Sequence, residues 1–338
     1  MAAVSHYYQE YHGHKIEHLE HMADHLPGDR GTVFLVGDST LDNKYWIHEL
    51  VPACNGYEKL LQPAKSIPDV AYCINKVCKD RGLPLCCINA AIEESTIGLR
   101  QGGVLLPHDS FVQRRIKEGD VLLVSCGGND IALRPTAWTV ISMVTLLLLP
   151  RWAIEHNLAP GLGHFVRLFK DSTEAYIRKI IRGRRPVCVV VCMLYYLDMR
   201  PGGSWADFTL QKLGYDKDPT KLQLIMRQVY QRATERIRLE GTEVVAVPLY
   251  EALDGTDSND YVQRVEPSAQ GGRKLATLIM DRLQPVLERL WSRDDSRDAS
   301  GGGAGGGGGP ASGRAGMGSR EGAAISAMPT SVHNRGDL

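Results

Sequence analysis

Two short polar clusters, each ending an apolar run, hold the residue types that acyl chemistry needs. The first is Gly37-Asp38-Ser39, which closes the run Val33 to Val36. The second is Gly127-Gly128-Asn129-Asp130, which follows the run Val121 to Cys126. A serine hydroxyl becomes a useful nucleophile when a neighbouring base takes its proton. An amide N–H can then hold the oxyanion that the attack creates. Either cluster alone is an ordinary turn, so their meaning depends on the elements that carry them.

Those elements alternate along the chain. Val33–Val36, residues 83–91, 120–126, 186–195 and 243–249 read as buried strands: apolar, β-rich and too short for helices. Between them, helical periodicity is expected over 45–61, 70–79, 110–117, 171–181 and 222–240, with a last helix at 268–291. Strands alternating with helices predict a parallel sheet covered on both faces, a three-layer α/β/α fold. In such sheets ligands bind outside the carboxyl ends of the strands. Ser39, the stretch Asn89 to Thr96, Gly127–Asp130, the Tyr196–Asp207 loop and the stretch Asp254–Ser268 are all expected at that edge. An apolar insertion, residues 137–169, either roofs the crevice or completes the core as a helical pair.

Composition narrows the function class. The 338 residues carry 39 Lys+Arg and 39 Asp+Glu, with 43% apolar content, so no net field draws the chain to nucleic acid. The longest apolar run, Val140 to Leu149, is too short to span a bilayer. The first residues, Met1 to Ser5, lack the pattern of a secretory leader. A soluble cytoplasmic protein of undetermined oligomeric state is expected. The eight cysteines lie mostly in or beside apolar runs and read as buried thiols rather than a disulfide framework or zinc site. Residues 1–30 read as a His-rich N-terminal segment, helical over 7–26. His14, His18, His21 and His25 share one face there, a spacing at which imidazoles can share a divalent ion. Ile16, Leu19, Met22 and Leu26 opposite them favour plain packing instead, and no metal is expected. From 293 to 338 the Gly-rich composition predicts disorder.

With both clusters placed at strand ends, the chain resembles the SGNH (GDSL-type) hydrolases over roughly residues 30–290. Gly37-Asp38-Ser39 and Gly127-Gly128-Asn129-Asp130 match that family's first and third blocks. The resemblance implies a flavodoxin-like five-stranded sheet in a domain of residues 31–292, and serine esterase or lipase chemistry on a small ester or acyl substrate, with no cofactor. It casts Ser39 as nucleophile and Asn129 as oxyanion donor. The family's second-block glycine, a backbone donor, falls on Glu94 or Ala91. Asp38, Glu94, Gly127 and Gly128 are the accompanying oxyanion or binding positions.

The fifth block departs from the family pattern of Asp-x-x-His. Alignment on Pro267-Ser268 puts Gln263 at the Asp position and Glu266 at the His position. Glu266, assisted by Asp260, is the expected base. Its reference pKa, about two units below that of His, makes burial a requirement. As an alternative, Glu266 caps the last helix. His108 and His164, with His48 and His156, are the alternative candidates to reach the site. A binding module that has lost its base, and an acyltransferase, are the rival functions.

Overall fold

The computed structural model describes residues 1–301, with side chains through 293. The chain divides at Arg293 into Met1–Arg293 and Asp294–Leu338, and the α/β fold occupies the first of these. Five strands form one all-parallel sheet: β1 (Gly31–Gly37), β2 (Leu85–Asn89), β3 (Val121–Ser125), β4 (Cys188–Met193) and β5 (Glu243–Pro248). Their order across the sheet is β2-β1-β3-β4-β5, the flavodoxin-like arrangement. β2, β3 and β4 are buried throughout, which explains their near-continuous apolar sequence.

Seven longer helices are α1 (Ile16–His25), α2 (Val70–Asp80), α3 (Pro107–Arg115), α4 (Ala137–Leu148), α5 (Thr173–Ile181), α6 (Pro219–Arg232) and α7 (Ala269–Gly301). On one sheet face, Ile74 of α2 and Ile279 and Leu283 of α7 pack against Val33, Leu35, Leu123 and Val190. On the other, Leu19 and Met22 of α1, Phe111 of α3 and Ile177 and Ile180 of α5 meet Phe34, Val36, Leu122 and Val189. That gives the three layers. A third cluster, built by the insertion and α6 around Met193 and Tyr196, lies beyond the end of β4.

Several helical expectations are corrected. The N-terminal helix covers Ile16–His25 rather than 7–26, because Gly13 (φ +80°) turns the chain so that its N–H reaches Asp42 Oδ2 at 2.8 Å. Residues 45–61 hold no long helix: single turns at Lys44–Trp46 and Tyr57–Lys59 flank a two-residue strand, Val51–Pro52, and Leu61 begins another. Asn55 (φ 59°) and Gly56 (φ 102°) are left-handed there, and Pro52 precedes them. The expected helix at 222–240 ends at Arg232 and is followed by one tight turn, Thr234–Arg236. α7 runs past residue 293, and the rest of the tail expected to be disordered lies outside the described residues. All eight cysteines are buried free thiols. Among the described residues no helix is long and apolar enough to cross a membrane, and no cluster of three or more metal-ligating side chains occurs.

Candidate active site

The two clusters meet because β1 and β3 are paired in register to their ends. Gly37 lies opposite Ser125, so Ser39 and Gly127 each sit two residues beyond a paired position. Gly37 adopts φ +125°, and a Cβ there would lie 1.7 Å from the carbonyl oxygen of Ser125. Only glycine permits that approach. Asp38 N–H then donates to the same carbonyl at 3.0 Å, which fixes the turn carrying Ser39. Gly127 has the same kind of requirement: at φ +104°, a Cβ would meet the Phe169 ring at 2.7 Å.

Glu266 arrives by a different route. Val262 and Glu266 are paired in a small antiparallel ladder. The chain reverses between them through Gln263 (φ 52°) and Arg264 (φ 65°), both left-handed. Such conformations are costly for residues with side chains. Arg264 offsets that cost with hydrogen-bonded ion pairs to Asp207 at 2.7 Å and Asp216 at 2.9 Å. Tyr195 Oη donates to Val265 O at 2.5 Å. Fully buried Asn43, just after the Ser39 turn, donates from Nδ2 to Pro267 O at 2.9 Å. Asn43 therefore ties the Ser39 turn directly to the Glu266 loop.

Ser39, Asp38, Gly128, Asn129 and Glu266 line one cavity of about 460 Å³. Glu266 is buried, and desolvation pushes its carboxyl up to about 7, with the Asp38 and Asp42 charges adding to the rise. The neighbouring Ser39 side chain pulls it back down, while Glu266 Oε2 itself has no partner among the described residues. Asp38 is also raised by burial, to about 6; its Oδ1 accepts from Thr40 N–H at 3.2 Å and its Oδ2 is unpartnered. Asn129 uses one Nδ2 hydrogen on Ser95 O at 3.1 Å, which leaves the second for a ligand. Among the described residues no acceptor is found for the backbone N–H of Ser39 or of Glu94.

Other expected residues lie elsewhere. Asp260 is buried, with Lys274 Nζ on one oxygen at 2.7 Å and Gln270 Nε2 on the other at 2.8 Å, and it does not line the cavity. Neither Glu94 nor Gly127 lines it. Glu94 has φ 59°, the left-handed conformation that suits a glycine, and its Oε1 accepts from Tyr11 Oη at 3.2 Å. No histidine lines the cavity: His108 Nε2 pairs with His14 O at 2.7 Å and His164 Nε2 with Thr139 Oγ1 at 2.9 Å. Among the N-terminal imidazoles, His14 is buried and stacks on Tyr7.

A second group of charges backs the site. Lys44 and Asp42 form a fully buried pair at 2.6 Å. Asp42 Oδ2 also accepts from the N–H groups of Gly13 at 2.8 Å and Glu93 at 3.0 Å. Glu93 is itself buried and held protonated well above the ordinary carboxylate range, by desolvation first and then by Glu266 and Asp42. Trp46 Nε1 and Tyr11 Oη donate to its Oε1 at 3.2 and 3.4 Å. Sequence reasoning placed Glu94 at the second-block position but gave no role to Asp42, Asn43 and Lys44. Their signal was a charged and polar triplet three residues after Ser39, in a segment that is otherwise buried.

No family model matches the chain, and no curated protein does. Similar solved structures exist, and esterases and lipases are prominent among them. A family 3 carbohydrate esterase from Clostridium thermocellum shares 13% identity at a TM-score of 0.43, covering 77% of this chain and 98% of its own. Phospholipase A1 from Streptomyces albidoflavus NA297 shares 13% at 0.40, covering 77% and 99%. The psychrotrophic esterase EstA from Pseudoalteromonas sp. shares 13% at 0.41, covering 76% and 99%. At such identity the chemistry has to come from this chain's own residues.

Proposed function

We propose that the protein is a serine ester hydrolase whose base is Glu266 rather than a histidine. The observation that carries this reading is the shared cavity: Ser39 and Glu266 both line it, and the carboxyl titrates near neutrality. A base poised near the working pH is the useful one. Glu266 takes the Ser39 Oγ proton as Oγ bonds to the ester carbonyl carbon. The oxyanion is met by Asn129 Nδ2 and the Ser39 N–H. On collapse the ester C–O bond breaks, and the leaving alkoxide takes the proton back from Glu266. Water then repeats the sequence: Glu266 accepts its proton, the hydroxide attacks the acyl carbon, and Ser39 leaves reprotonated.

The base's charge type shapes the step. A carboxylate turns neutral as the oxyanion appears, so one negative charge moves across the site and no ion pair is created. Beside Asp38 and Asp42, transfer of charge costs less than adding another. A histidine would supply a cation beside the oxyanion; here the amide and backbone donors carry that stabilisation alone.

The experiment is labelling with a fluorophosphonate probe alongside turnover of p-nitrophenyl butanoate. Modification at Ser39, lost together with turnover in Ser39→Ala, is the expected result. A serine left unmodified rejects the reading and leaves a cleft that only binds.

A further inference from the structure

We propose, building on that reading, that the cavity beside Ser39 is an acyl-chain site and that the substrate is an uncharged ester of a medium to long straight-chain acid. The wall is the evidence. Away from the polar end, the cavity is lined by Met143, Phe165, Phe169, Leu222, Met226 and other apolar side chains from the insertion and α6. No Lys, Arg or His is among the lining residues, and the only charged types are Asp38 and Glu266, beside the nucleophile. The occupant is therefore apolar along its length and bears no negative charge where it meets Ser39. An ester carbonyl satisfies this, and a free carboxylate does not.

Size agrees. Small-ligand sites run from about 300 to 1,000 Å³, and this one holds about 460 Å³. With a methylene taking about the room of a water, about 30 Å³, the space accommodates a chain on the order of fifteen carbons. An acetyl group would leave most of the apolar wall uncovered. Val140, Val144 and Trp205 line the cavity and are each 48% exposed, so the way in from solvent is apolar as well. Trp138 on the same helix is 69% exposed. Product release follows from the same charges: the fatty carboxylate formed at the polar end faces Asp38 and Glu266, which repel it.

Two measurements test the site, one independent of catalysis. Full burial of a methylene is worth about fourfold in binding. kcat/KM for p-nitrophenyl esters should therefore rise at least tenfold from butanoate to dodecanoate. Met226→Trp, which fills the cavity, should cut the dodecanoate-to-butanoate ratio by tenfold or more. A flat chain-length profile, or an unchanged ratio in the variant, overturns the proposal. In the second arm, full-length Ser39→Ala is titrated with dodecanol and followed by calorimetry. Saturable binding that butanol does not show is expected, and its absence overturns the chain site even in an active enzyme. Dodecanol binding in a protein that turns over no ester keeps the chain site and removes the hydrolase reading.

Discussion

Glu266→Gln separates catalysis from stability in a way that no capping role reproduces. A carboxyl that titrates at 4.5 when unperturbed and at about 7 in the fold binds its proton more tightly when folded. The folded state holds the extra proton between those two values. The resulting stability is fully present below the lower one and is lost as pH rises through about 7. At about 1.36 kcal/mol per unit, keeping Glu266 ionised above pH 7 costs the fold about 3 kcal/mol. Glutamine carries no charge at any pH and removes that cost. The variant should match the parent's melting temperature at pH 4.5, melt several degrees higher at pH 8, and lose at least about a hundredfold in turnover. Parent turnover should climb through about pH 7 while parent stability falls. Paired thermal melts and ester assays at the two pH values decide it. If Glu266 only capped α7, the ionised side chain would be the stabilising form at a helix N-terminus, and the variant would melt lower at pH 8. That outcome, or retained turnover, refutes the reasoning.

Two other substitutions probe the surroundings of Ser39. Asn129→Ala should lower kcat about a hundred- to thousandfold, with KM moving far less, because an oxyanion donor acts mainly in the transition state; a change confined to KM would argue for ground-state binding instead. Gly37→Ala meets the Ser125 carbonyl at 1.7 Å in a left-handed conformation, so a loss beyond about 4 kcal/mol is expected in denaturant melts, and a neutral result would show that the two strand ends separate easily.

Much of the fold was legible because each sheet strand is a short apolar run between helices, and the 2-1-3-4-5 order followed from the family resemblance. The legible part of the site came the same way. Ser39 and Asn129 stand just past strands whose register the pairing of Gly37 with Ser125 extends to the end. What was not legible is long-range and polar. That Asn43 reaches Pro267, or that Asp42 gathers the N–H groups of Gly13 and Glu93, depends on loop paths without periodicity. Asp260 sits close to Glu266 in sequence, yet its carboxylate belongs to Lys274 and Gln270 because the intervening chain doubles back through Gln263 and Arg264.

The loop before α1 belongs to no sheet layer, yet Tyr11, His12 and Gly13 grip Glu93, Glu94 and Asp42 behind the cavity. Cutting the chain back to its first sheet strand would keep every residue of the Ser39 turn and still expose Glu93, Glu94 and Asp42 to water. Glu93, no longer desolvated, would drift toward ordinary acidity, and Glu266 with it. For this chain a tidy-looking minimal domain is the wrong starting material.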